Sequence, residues 1–268
     1  MRRFAAFRAS IAALTILVAT MPLLSRAEDA AARPAAPATT VAAPSNIVIG
    51  FVGGFVSHDD LRHGPVRLAQ RIQRTVPKDA YVRVFENRRR KQAYETILRV
   101  LDTDHDGSLS AEEKGRAHII LFGHSWGAAA AVLLARELRR NGIPVLLTVQ
   151  VDSIAKMWQD DAVIPDNVEA AVNFYQPHGI LHGRKQITAE NPGKTEVLGN
   201  YLEDYKKNPV QCTEATWFGR VFTSGHVQSE CDPRIWSQIE GMVRQRLATP
   251  ETFSRTAAAV SVAAHPQE

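Results

Sequence analysis

Residues 118–140 constrain the fold more tightly than any other stretch of this chain. An apolar run, His118-Ile119-Ile120-Leu121-Phe122, leads into Gly123-His124-Ser125-Trp126-Gly127, and an alanine-rich segment continues to Arg140. The run is short and rich in Ile, Leu and Phe, as a strand buried on both faces is. Ala128 to Ala131, Val132, Leu133, Leu134 and Leu138 then give a helix with an apolar face. Between strand and helix, a G-x-S-x-G turn lifts a serine hydroxyl off the strand end, and small residues at Gly123 and Gly127 let the two elements approach. Ser125 is the candidate nucleophile; the alternative is a structural serine in a tight turn.

The same alternation runs through the rest of the chain. Strands are expected over 46–52, 80–85, 144–151, 169–175 and 195–198, and helices over 65–75, 89–101 and 234–246. Strands interleaved with helices predict a doubly wound, mostly parallel α/β sheet with helices on both faces. Residues 209–231 read as loop-rich.

The ends of the chain have a different composition. Residues 1–27 hold Arg2 and Arg3, an apolar core and Ser25-Arg26-Ala27, the three parts of a secretory signal. That core is too short to favour spanning a bilayer, so no membrane span is expected after cleavage. Residues 28–45 are a Pro/Ala linker, 46–256 the folded domain and 257–268 a tail. The leader carries Arg2, Arg3, Arg8 and Arg26 and no acid, so the formal net charge of +4 becomes 4 − 4 = 0 without it. The basic footprint that nucleic-acid binding requires is therefore missing, apart from Arg88-Arg89-Arg90-Lys91, which reads as a solvated helix start. Export to the periplasm or the medium of a bacterium is the expectation. Cys212 and Cys231, an even pair in an exported chain, are expected to form a disulfide; two free thiols are the alternative.

On Gly123 to Gly127 and its strand and helix, the chain resembles the α/β-hydrolase superfamily, in particular its lipase- and esterase-like members. The resemblance covers most of the chain from Asn46 onward and implies a serine hydrolase that cleaves carboxylic esters, lipid esters among them. It also implies roles for other residues. The superfamily's acid stands at a strand end, which places it at Asp152, with Asp160, Asp161 and Asp166 as the other choices. Its histidine lies before the final helix, where His226 stands, and the order Ser125, Asp152, His226 is the superfamily's order. Its oxyanion hole takes backbone N–H groups from a loop after an early strand and from the residue after the nucleophile, which implies Phe55 and Trp126, with Gly53 and Gly54 letting the backbone come close. His58, His63, His178 and His182 read as pocket or surface residues.

A second resemblance is to the calcium loop of EF-hand proteins, over residues 102–113. It implies Asp102, Asp104 and Asp106 as carboxylate ligands, a sharp turn at Gly107, the Ser108 carbonyl, Ser110 through water and a bidentate Glu113. The loop precedes the strand that ends at Ser125, so a bound Ca²⁺ would lie at the far end of the sheet and act structurally. An acidic surface loop is the plain alternative. No organic cofactor is expected. The remaining functional alternatives are another acyl-transfer enzyme (thioesterase, amidase or acyltransferase) and a calcium-dependent binding protein on an inactive hydrolase fold.

Overall fold

In the computed structural model of the protein, residues 46–76, 80–213 and 224–248 are described. The expected signal (1–27), linker (28–45) and tail (257–268) lie outside the described residues, as do residues 249–256 of the expected domain. The strands in chain order are β1 (Asn46–Val52), β2 (Tyr81–Glu86), β3 (His118–His124), β4 (Val145–Val151), β5 (Val163–Ile164), β6 (Val168–Tyr175), β7 (Thr188–Ala189) and β8 (Glu196–Leu202). The helices are α1 (Gly64–Thr75), α2 (Arg90–Leu101), α3 (Ala111–Gly115), α4 (Trp126–Arg140), α5 (Ser224–Cys231) and α6 (Pro233–Ala248). Six strands make one sheet in the order β2-β1-β3-β4-β6-β8, and every pairing in it is parallel. The chain is therefore α/β, with a parallel doubly wound sheet.

The near-continuous apolar strands are explained by burial on both faces. From β1, Ile47, Ile49 and Phe51 pack with α2 and α4 on one side, while Val48 and Val52 pack with α1 and α6 on the other. β3 divides the same way, Ile119 and Leu121 against Ile120 and Phe122. Each such side chain is worth roughly 1.5–3 kcal/mol relative to exposure. α1 opens with Pro65 in its first turn, where the missing N–H costs nothing.

β1 lies between β2 and β3, so successive connections leave it in opposite directions. The loops after β1 and β3 part there, at the carboxyl edge where open sheets of this kind hold ligands. Two expectations are corrected, and one strand pair is new. The short pair β5 and β7 had no signal of its own, since two-residue strands are below any periodicity. The late strand runs to Leu202 rather than 198. Residues 224–231, expected as loop, form α5, whose composition Ser-Gly-His-Val-Gln-Ser-Glu-Cys shows almost no amphipathic pattern.

Candidate active site

Ser125 follows directly on β3 and precedes the first residue of α4. Its backbone sits at φ 56° and ψ −127°, outside the regions favoured by residues with a side chain. The turn can be this tight only because Gly123 and Gly127 lack side chains. A Cβ on Gly123 would run into the Gly127 backbone, and one on Gly127 into the Phe51 and Val52 carbonyls of β1. The Ser125 N–H donates to the Val151 carbonyl at 3.0 Å, tying the turn to the end of β4. Among the described residues, four non-glycine residues have positive φ, and Ser125 and Asp152 are two of them. Strain of that kind collects at sites whose geometry the fold must enforce.

Asp152 is the first residue after β4 and is wholly buried. One oxygen, Oδ1, accepts from the N–H groups of Gly183 (2.6 Å) and Gln176 (3.3 Å). The other, Oδ2, accepts from Gln176 Nε2 (2.9 Å) and from His226 Nδ1 at 2.7 Å. Burial opposes the negative charge, but the His226 hydrogen bond and charge, with Gln176, outweigh it and hold the carboxyl below its ordinary range. With Nδ1–H given to Asp152, the basic nitrogen of His226 is Nε2. His226 stands in the first turn of α5, not on a loop as expected, and is itself buried. The structure thus brings the expected acid and histidine together across 74 residues of sequence.

The other acids are engaged elsewhere. Asp161 is buried and bound by Ser153 Oγ and Arg184 Nε, both at 2.5 Å; Asp160 pairs with Arg136, and Asp166 with Arg139 and Lys194. Gln176 and Gly183, which fix Asp152, were not singled out in the sequence. Gln176 had a faint signal, a polar residue one step beyond an apolar strand; Gly183 had none.

The two expected oxyanion residues lie side by side. The Phe55 ring meets the Trp126 ring edge-on, with centroids 5.6 Å apart. Among the described residues neither backbone N–H has an acceptor. The loop carrying Phe55 is pressed against the nucleophile, since a Cβ built on Gly53 would fall 2.9 Å from Ser125 Cβ. It is braced by Asn87 Nδ2, which donates to the Gly54 carbonyl at 2.6 Å, while Lys156 Nζ donates to Asn87 Oδ1 at 2.7 Å and lies over the Trp126 ring. Phe55, Met157, Trp158 and Ile180 all leave large apolar side chains mostly exposed on loops that follow β1, β4 and β6.

At the other end of β3 the acidic loop is only partly as expected. Carboxylate oxygens of Asp102, Asp104 and Asp106 lie within 4.8 Å of one another, and Gly107 takes φ +84°. Asp102 Oδ1 is buried without a hydrogen-bond partner. Glu113, however, does not join them. Its oxygens accept from the Thr103 N–H (2.7 Å) and hydroxyl (2.9 Å) and from the Ser110 N–H and hydroxyl (both 2.9 Å), closing a capping box on α3. Those hydrogen bonds lower its pKa to about 2. The Ser110 side chain is likewise occupied by the cap, and the Ser108 N–H donates to Asp106.

Cys212 and Cys231 are bonded, with Cα atoms 5.9 Å apart, so the far end of α5, the helix that carries His226, is tethered. His58 bonds to Glu86 and His178 to Asp204, while His182 is exposed. None of the three joins a cluster of metal-ligating side chains among the described residues.

No family model matches the sequence, and no curated protein does either. Among solved structures, the chain is similar to RedJ, a thioesterase from the prodiginine biosynthetic pathway in Streptomyces coelicolor. That alignment has 15% identity, 78% of this chain, 96% of the other and a TM-score of 0.36. It is also similar to a carboxylesterase from Mesorhizobium loti, at 14% identity over 77% and 90% of the two chains, with a TM-score of 0.34.

Proposed function

We propose that this chain is an exported serine hydrolase that cleaves carboxylic esters with an apolar acyl group through an acyl-serine intermediate. The observation that carries this reading is the buried 2.7 Å hydrogen bond between His226 and Asp152, in a site where Ser125 is held at a strained strand-to-helix turn. In this reading the Ser125 hydroxyl attacks the acyl carbon as His226 Nε2 takes its proton. The tetrahedral oxyanion is met by the N–H groups of Phe55 and Trp126, and the proton passes to the leaving alcohol. Water then repeats the sequence on the acyl-serine. Asp152 fixes the imidazole tautomer and offsets the charge of the imidazolium. The exposed apolar side chains on the carboxyl-edge loops favour an apolar acyl group over a small polar one.

Export is supported by the leader sequence and by the disulfide, which persists in oxidising compartments. No described helix is long and apolar enough to cross a membrane. Within the same proposal, the 102–113 loop takes one structural Ca²⁺. Asp102, Asp104 and Asp106 fit a hard cation, and the partnerless Asp102 Oδ1 is a ready ligand; Glu113 fits only if it leaves its cap. The ion supplies no chemistry at Ser125.

The test is a panel of p-nitrophenyl esters of rising chain length, with fluorophosphonate labelling mapped by mass spectrometry. Labelling at Ser125, with turnover that rises from acetate towards medium chains, is expected. An unlabelled Ser125 in folded protein would sink the reading.

A further inference from the structure

Behind His226 lies a second set of ionisable groups that the proposed chemistry has not used. His124, the last residue of β3, is almost fully buried, and its ring lies over that of His226 with centroids 4.6 Å apart. The Ser229 hydroxyl donates to the His226 carbonyl at 2.8 Å. His124 Nε2 stands 3.2 Å from Ser229 Oγ and 3.3 Å from that same carbonyl oxygen. Both are acceptors once the Ser229 proton is placed, so Nε2 of His124 carries its hydrogen. Nδ1 is then bare, and it faces Glu230 Oε1 at 3.5 Å.

Glu230 is held from three directions. The same Oε1 accepts from His63 Nδ1 at 2.7 Å, the Glu230 carbonyl accepts from Trp236 Nε1 at 2.6 Å, and the adjoining Cys231 is fixed by its disulfide. Burial holds His124 down to about 4, so it stays neutral when a neighbour's charge changes. Burial also opposes the Glu230 charge, but the His63 hydrogen bond and charge, with that of His226, keep its carboxyl below the ordinary range. A carboxylate fixed at the edge of a neutral ring, one helical turn from His226, therefore directs its field at the imidazole that lies against that ring's face. A second anion there would lower the free energy of imidazolium, the state His226 enters when Ser125 gives up its proton.

We propose that Glu230 is a positioning residue of this site: acting past the edge of the His124 ring, it favours the protonated form of His226 alongside Asp152. This rests on the assignment of His226 as the proton acceptor. The charged and titratable groups that bear on His226 are Asp152 from β4, His124 from β3 and Glu230 from its own helix. His63 and Asp60, from the loop before α1, act through Glu230.

The deciding experiment follows the His226 imidazole by NMR in the full chain, its signal assigned with His226→Gln, in the wild type and in Glu230→Gln. Glutamine keeps the size and the acceptor for His63 but removes the charge. The titration midpoint of His226 should move to lower pH by roughly half a unit to one unit, and Glu230→Asp should restore most of it. In the pH–rate profile the acid limb should move the same way, while the plateau of kcat/KM falls about 5-fold. An unmoved midpoint in folded Glu230→Gln overturns the proposal, even if kcat falls, because a merely structural carboxylate would change packing and not the titration. A moved midpoint in a protein that hydrolyses no ester keeps this coupling and sinks the hydrolase reading instead.

Discussion

Aspartate lies beyond the carboxyl end of β4 and ahead of the amino end of β3, in opposite circumstances. Asp152, at the carboxyl edge, is sealed from water, and its two oxygens take four hydrogen bonds from Gly183, Gln176 and His226. Asp102, Asp104 and Asp106, ahead of the amino end, are partly or fully exposed and take only the N–H groups of their own loop. The first carboxylate is fixed by donors from the loop after β6 and from α5, so its charge acts on one chosen neighbour. The other three repel one another, and a cation from solution would relieve that. In the proposed function, the buried carboxylate serves the chemistry and the exposed three take the cation.

The comparison breaks most visibly at the carboxyl edge. Ser125→Ala and His226→Ala should each lower ester turnover by about 10⁶. Ser125→Ala should leave the melting temperature nearly unchanged, since no hydrogen bond of its hydroxyl holds the described fold together. Asp152→Asn should cost on the order of 10⁴ in kcat, because an amide no longer enforces the Nδ1–H tautomer. Steady-state kinetics beside circular-dichroism melts checks both, and near-normal turnover by Ser125→Ala would remove this edge from the chemistry altogether.

A smaller effect is expected from the tether. Replacing both Cys212 and Cys231 with alanine opens a loop of about 20 residues and should cost on the order of 3 kcal/mol in the chain-entropy model, read from urea unfolding. Turnover should fall too, since α5 carries His226; unchanged turnover would show that Ser229 and Trp236 hold the helix unaided.

The amino end should respond to calcium and not to substrate. With a Kd near 10⁻⁴ to 10⁻³ M, a few millimolar Ca²⁺ should stabilise by roughly 1 to 2 kcal/mol, seen as a rise in melting temperature. Turnover measured well below the melting point should not change. Loss of turnover on chelation, in protein still folded, would show that the two ends of β3 are coupled. The smallest effect concerns acid. Glu113 is lowered to about 2, so its contribution is fully present above the usual carboxylate range and is lost as pH falls through about 2. Glu113→Gln should flatten that part of the stability–pH curve, while Asp104→Asn leaves it in place.

The strand, turn and helix around Ser125 were legible because each rests on neighbours in sequence. Two-sided burial shows as unbroken Ile-Ile-Leu-Phe, and close approach shows as glycine at both ends of the turn. The acidic loop at 102–113 was legible only as a list of side chains. The same Ser110 and Glu113 that complete an EF-hand also complete a capping box, and the choice between cation and helix end is not written in their spacing. His226 was placed by its order along the chain but on the wrong kind of element. α5 has no apolar periodicity to announce it and is held by a disulfide, Ser229 and Trp236.

By itself, then, the sequence determined what local sterics and hydrophobic period can specify: a parallel sheet, its helices and one serine raised on a tight turn. Tertiary structure alone decided that Asp152 meets His226, that Gln176 and Gly183 hold it there, and that Glu230 stands at the edge of His124. Those contacts join positions 24 to 74 residues apart or link separate strands and helices, and only burial of the whole sheet brings them within hydrogen-bonding range.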